Sequence, residues 1–291
     1  MPGTITVGVD GTDHSLAAVD WAAAEASRRA AVLRVVFAWV WRPLDVPVAA
    51  DEAVQREWAE NVLREAEKRA GSAHPELTVV TQVLSDDPVP ALVAEAGQTD
   101  LLVLGSRGHG ALVGRLLGSV ALRVLPRAGG PVVLVRRPDE KRADATATEI
   151  VVGVQDVDDD GSGPALDFAF AAAAARGVRL RAVRAWHLPP VFAWSAGSAW
   201  VGEETGGLSA LERERLTEAL RPWRARYPGV EVVETLELGS AGELLLSYGG
   251  SAALMVVGHR TGGEHGRARI GAVTQAVLHH APCPVAVVPC P

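Results

Sequence analysis

The 291-residue sequence holds two cysteines, has no stretch of 18 apolar residues, and carries no surplus of positive charge. Cys283 and Cys290 flank a short segment near the C-terminus. Two thiols build neither a disulfide framework nor, alone, a zinc site, so a reducing cytoplasm is the expected setting. Without a long apolar run there is no candidate membrane helix. The opening MPGTITVGVD enters a strand pattern at once, and no signal peptide is expected. A formal net charge of −7 removes the electrostatic footprint of a nucleic-acid-binding protein. Paired arginines are interleaved with acids, as on a solvated face. The run Asp156 to Asp160 (DVDDD) lacks the distal Glu of a calcium loop and reads as a solvated turn.

What is present is a core. Apolar residues make up 48% and charged residues 22%. The length suits two domains of about 145 residues each. Thr4–Val9 reads as a buried strand, followed by a helix from about Ser15 to Ala30 with Asp13 or Ser15 as cap. Val32–Trp39 is a second strand, Glu52–Ala70 a charged amphipathic helix, and Leu77–Val83 a third strand. Pro88 opens a helix to about Gly97. Leu101–Leu104 is the fourth strand, Ser119–Arg127 a helix, and Val132–Val135 the last strand. Short apolar strands alternating with helices give a largely parallel sheet with both faces covered.

The pattern then restarts. Arg136–Ala147 is polar and reads as a linker, after which EIVVGVQ repeats TITVGVD, ALMVVGHR matches LLVLGSRG, and APCPVAVVP matches AGGPVVLVR. The expected fold is therefore α/β, with two repeated doubly wound domains, each a mainly parallel five-stranded sheet. The domains are placed at 1–137 and 148–291, with a linker at 138–147.

Chemistry concentrates in Leu101–Val120, LLVLGSRGHGALVGRLLGSV. Gly105 and Gly108 follow a strand directly, and Gly118-Ser119 sits at a helix start, where a hydroxyl can cap the helix and bond a phosphate. The spacing is neither the Walker A pattern nor the dinucleotide fingerprint. Residues 109–117 read as a phosphate-wrapping loop, with Arg107 and Arg115 to offset phosphate charge. The other reading is a glycine-rich turn with no ligand. Strand order 3-2-1-4-5 would bring Asp10, after strand one, to the same crevice as this loop. A carboxylate there holds a ribose hydroxyl or a phosphate-bound Mg²⁺, or else caps the turn before the first helix.

Gly105, Gly108, Gly118 and Ser119 have the spacing Gly, two residues, Gly, nine residues, Gly, Ser or Thr, which resembles the nucleotide motif of the universal stress protein family. The turn VGVDGTDHS is similar to that family's as well, and the resemblance covers both copies, in the family's tandem-domain form. It implies ATP, with Mg²⁺, in the first copy. The four matched residues would lie on the phosphates, Asp10 near the ribose or metal, and Ala38 beside the adenine through its backbone. It also implies that the last strands pair across a dimer axis, within a tandem chain or between chains. The apolar edges Val132–Val135 and Val285–Val288 give that pairing a motive, and a homodimer through edge strands is one outcome.

The second copy departs from the motif. Gln155 stands for Asp10, Thr261 for Gly108, and Ala272 follows Gly271 where a hydroxyl is needed. His259, Arg260, His265 and Arg267 keep some attraction for anions, yet ATP binding is expected to be weak or absent. Trp186, Phe192, Trp194 and Trp200 gather around Pro189-Pro190 as loop packing or an interaction patch. The function expected is an ATP-binding stress-response regulator that switches conformation or an unidentified protein partner with nucleotide occupancy, and is not primarily an enzyme. The alternatives are a slow ATP hydrolase, for which Asp10 and His109 are the groups on offer, and a structural interaction protein independent of nucleotide.

Overall fold

Strand Leu101–Gly105 begins with three residues that are fully shielded from solvent, Leu101, Leu102 and Val103. A strand buried on successive residues must be covered on both faces, which is the signature of a parallel sheet between helical layers. The computed structural model describes residues 3–40, 52–106, 117–136, 147–155, 162–187, 198–261 and 270–290. It divides into two units, Met1–Ala143 and Asp144–Pro291.

The first unit runs β1 (Thr4–Gly8), α1 (Asp13–Arg29), β2 (Val32–Ala38), α2 (Glu52–Ala73), β3 (Val79–Leu84), α3 (Pro88–Ala96), β4 (Leu101–Gly105), α4 (Ser119–Val124) and β5 (Val132–Val135). Its strands stand in the order β3-β2-β1-β4-β5, and each neighbouring pair is parallel. The second unit runs β6 (Glu149–Gly153), α5 (Gly163–Arg176), β7 (Arg179–Trp186), α6 (Ser198–Arg226), β8 (Val232–Leu238), α7 (Ala241–Ser247), β9 (Ala252–Arg260), α8 (Ala272–His280) and β10 (Val285–Cys290). Its order, β8-β7-β6-β9-β10, is again parallel throughout and repeats the first. In each unit the winding reverses beside the first strand, leaving a crevice at the strands' carboxyl ends. No helix among the described residues is long and apolar enough to cross a membrane.

Several boundaries differ from the sequence expectation. Helix α1 is capped by Thr12 rather than Asp13 or Ser15. Thr12 is extended (φ −87°, ψ 156°), and its hydroxyl oxygen accepts the Ser15 N–H at 3.3 Å. Ser15 donates its own hydroxyl to the Thr12 carbonyl at 2.8 Å, and Asp13 becomes the first helical residue, its charge beside the positive end of the helix. Strand β3 lies two residues later than expected at its start, because its half-polar alternation provides no buried run to mark it. Helix α4 stops at Val124, and one 3-10 turn, Leu125–Arg127, replaces its expected last turn. Pro126 has no N–H to continue the ladder.

The buried stripe of α1 is Ala18, Val19, Ala22, Ala23 and Ala26, small side chains that let the helix lie close on the sheet. In the second unit Phe170 is fully buried and stacks on Trp223 and Tyr227 at centroid distances of 6.4 and 5.8 Å. A buried polar cluster closes the amino end of β6. There Glu149 accepts from Ser251 Oγ at 2.6 Å, Arg179 Nε at 2.9 Å and Arg181 Nε at 3.1 Å. Arg181 also donates to Thr235 and lies 4.5 Å from the Tyr248 ring centroid.

The repeat supplies its own control at the helix ends. Helix α5 terminates at Gly177 with φ +62°, whereas α1 terminates at Ala30 with φ +50°, a conformation costly to a residue with a Cβ. Ala30→Gly relieves that cost against some added unfolded-state entropy. The expected result is a gain of about 0.5–1 kcal/mol in the first domain, a rise of roughly 1–4 °C in its thermal midpoint. An unchanged or lowered midpoint would contradict the assignment of strain to Ala30.

Candidate functional site

The crevice of the first unit is built where β1, β2 and β4 end. Gly8 of β1 lies in register with Val36 of β2 and Leu104 of β4, so the residues just beyond these strands meet at one edge. Asp10 follows β1, Ala38 closes β2, and Gly105 closes β4. Gly118 and Ser119 open α4 and return to the same edge, since the Gly118 N–H donates to the Ser106 carbonyl at 2.8 Å. That bond ties together the two ends of the glycine-rich stretch. Ser106, buried directly after Gly105, is anchored in turn by its own N–H to the Val135 carbonyl at 2.8 Å. Ser119 itself is exposed, and Gly118, Asp10 and Ala38 are partly so. Arg107, Gly108 and Arg115, together with His109, lie outside the described residues.

Asp10 is held by its own turn. Its Oδ1 accepts the Thr12 N–H at 3.0 Å and the Thr12 hydroxyl at 2.6 Å. Gly11 between them sits at φ +80°, and a Cβ there would also come within 3.0 Å of Val62 and 3.3 Å of Trp58. Thr12 thus fixes the carboxylate and caps α1 at once, a double role that sequence reasoning missed although the residue stood in the quoted turn. The α1 N-terminus, with its partial positive charge, is brought beside the loop anchor.

Gly105 is demanded by close packing. A Cβ on it would stand 2.8 Å from both the carbonyl carbon and oxygen of His14, and 3.0 Å from the Ser15 nitrogen. These are backbone atoms and cannot swing aside. Gly118 is different, with φ −65° and ψ 144°, a conformation open to residues of many kinds.

The second unit presents the same edge with altered chemistry. Gln155 occupies the position after β6 that Asp10 holds after β1, and its side chain carries no charge. Thr261 donates its N–H to the Cys290 carbonyl at 2.9 Å and its hydroxyl to the same oxygen at 3.0 Å. Both groups that could meet a phosphate at the second motif position are therefore spent on β10. Ala272 offers no hydroxyl, and the buried Thr274 donates to the Gly258 carbonyl at 3.1 Å. Arg184 takes the strand position that Phe37 has in β2. Phe37 meets Trp58 edge-on at 5.3 Å, whereas Arg184 pairs with Glu212 through Nη2 at 2.7 Å and Nε at 2.9 Å, and donates Nη1 to the Gln155 carbonyl. Burial opposes ionisation of Glu212, but hydrogen bonding and charge from Arg184 outweigh it and hold the carboxyl below its ordinary value. Of the expected aromatic cluster, Trp186 is the buried last residue of β7, and Trp200 falls within α6 rather than a loop. Phe192 and Trp194, like His265 and Arg267 of the second motif, lie outside the described residues.

Comparison with known proteins agrees with this architecture. A universal stress protein of Mycobacterium tuberculosis is 35% identical over 300 residues, spanning 97% of this chain and 96% of the relative. One from Mycolicibacterium smegmatis is 34% identical over 303 residues, spanning 98% and 96%. The crystal structure of a universal stress protein from Archaeoglobus fulgidus shares the fold, with a TM-score of 0.69, 19% identity and 98% of each chain covered. The sequence profile of the universal stress protein family matches twice, over residues 1–136 and 147–289, and the chain belongs to that family.

Proposed function

We propose that the first domain, residues 1–137, binds ATP and that its occupancy sets the conformation or partner binding of a cytoplasmic stress-response regulator. The observation that carries this reading is the convergence of Asp10, Ala38, Gly105 and Gly118-Ser119 on one crevice edge, with the loop's ends joined by the Gly118–Ser106 bond. In this reading Gly105, Gly108, Gly118 and Ser119 line the phosphates, and Arg107 and Arg115 offset their charge. Asp10 faces the ribose or the metal, and the Ala38 backbone borders the adenine. Among the described residues no group of three or more His, Cys, Asp or Glu could hold a metal ion. The donors fit Mg²⁺ carried mainly by phosphate oxygens and water, with a single carboxylate, Asp10, to orient it.

Denaturing the purified full chain and identifying released nucleotide by mass tests the reading. The expected result is ATP at one equivalent per chain. Protein that releases no nucleotide, and that also fails to take up added ATP, would overturn it.

A further inference from the structure

Strand β3 ends the sheet of the first domain, and among the described residues no strand pairs with its outer side. The Thr78 and Leu84 carbonyls accept the N–H groups of Leu33 and Trp39 at 3.0 and 2.9 Å, so the even-numbered residues bond to β2. Val79, Thr81 and Val83 therefore turn both N–H and C=O outward. The stretch Leu77–Ser85 (LTVVTQVLS) holds no charge, proline or glycine. Thr78, Val80 and Gln82 form an exposed row along it, with Val80 46% accessible. Charged side chains, proline and bulges are what keep sheet edges from pairing, and the composition of β3 includes neither charge nor proline.

The repeat is guarded where β3 is bare. Strand β8 holds the corresponding place in the second domain, and Glu231, Glu234 and Glu237 punctuate it. The Glu231 carbonyl accepts the Leu180 N–H, which puts Glu234 among the outward-facing residues of that strand, where it pairs with Arg224 at 2.8 Å. In a chain of net charge −7, two β8 edges brought together would crowd glutamates against one another, whereas two β3 edges bring none.

We infer that two copies of the chain pair through β3, antiparallel about a twofold axis at Val80. A twofold contact needs a surface complementary to itself, and the sequence selects one register. Centring on Thr81 would oppose Glu76 to Asp86, and centring on Val79 would set Val83 opposite Pro75, which has no N–H. Centred on Val80, Val79 exchanges hydrogen bonds with Thr81 of the second copy, Leu77 lies opposite Val83, and Thr78 lies opposite Gln82. Val80 meets itself at a non-hydrogen-bonded position, where facing side chains come closest. Glu76 then falls opposite Leu84, and no like charges are directly opposed. This surface lies apart from the last strands of the two domains, and the inference does not depend on the nucleotide reading.

Sedimentation equilibrium of the full chain from about 1 to 500 µM tests the inference. The contact is small, so self-association with a Kd on the order of 10–100 µM is expected. Val80→Lys adds a charge at an exposed position and should weaken it at least ~10-fold. Thr81→Pro should do the same, because the N–H it removes is one that β2 does not use. A fold defect in that variant leaves Val80→Lys to decide. Leu238→Lys, at an exposed position of β8, should change nothing. Under mild oxidation Val80→Cys should give a disulfide-linked dimer, since facing Cα atoms at such a position stand about 4.5 Å apart, within reach of a disulfide. Cys283 and Cys290 are buried. A monomer at every concentration, or a dimer indifferent to Val80→Lys, would overturn the inference. So would equal weakening by Leu238→Lys, or cross-linking by Gln82→Cys in place of Val80→Cys.

Discussion

Gly118→Val is expected to lower the ATP affinity of the full chain at least ~100-fold, about 2.8 kcal/mol, while costing less than about 1 kcal/mol of stability. The separation of the two effects follows from geometry. Gly118 has an extended backbone that valine adopts readily, and its N–H, which bonds the Ser106 carbonyl, is untouched by a side chain. What valine adds is bulk at the point where the two ends of the glycine-rich loop meet and where, in the proposed reading, a phosphate approaches the backbone. Isothermal titration with ATP and Mg²⁺, paired with thermal unfolding, reads both quantities. Undiminished affinity would sink the assignment of the loop to phosphate. A remaining site of wild-type strength would show that the second crevice accepts ATP despite Thr261 and Ala272.

The second large effect is on folding. Glu149→Ala is expected to destabilise the second domain by about 3 kcal/mol, lowering its unfolding midpoint by roughly 6–12 °C. The carboxylate is almost completely buried and receives Ser251, Arg179 and Arg181 together. Its removal leaves Arg181, whose side chain is only 15% exposed, without this counter-charge. Arg179 is 40% exposed and turns to water, which keeps the loss from being larger. Burial works against the charged form of Glu149, but the Ser251 hydroxyl and the two guanidinium groups prevail and hold its carboxyl below the ordinary value. A depressed folded-state value means the stabilisation is complete above the unfolded carboxyl's range and disappears as pH falls through the folded one. The stability difference between wild type and Glu149→Gln should therefore be constant above about pH 5.5 and shrink below about pH 4.5. Equal differences at acid and neutral pH would mean that the charge of Glu149 contributes nothing.

Most of the architecture was legible because parallel strands are buried on both faces and appear as apolar runs, and because the chain states the pattern twice. The strand order followed from requiring Asp10 and the glycine loop to share a crevice. What escaped was set by register or by distance. Thr12, Asp13 and Ser15 are all competent caps within four residues, and only the turn held by Gly11 selects Thr12. Pro126 marked the end of α4 plainly but was outweighed by the helical period around it. The Glu149 cluster reaches Ser251, 102 positions away, and Arg184 meets Glu212 across 28. Nothing local distinguishes these from ordinary surface charges. The second crevice was thus read from sequence as a degraded copy, because its losses fall on motif positions and the Arg184–Glu212 pair does not.

The backbone contact at Gly105 bears on how variation at this site is interpreted. A library selected only for a folded chain would retain glycine at 105, because α1 leaves no room for a methyl group. The same library would drift at 118, where the backbone accepts other residues. Constancy at position 105 among functioning variants is therefore explained by packing alone, whereas constancy at 118 would call for a ligand such as the proposed nucleotide.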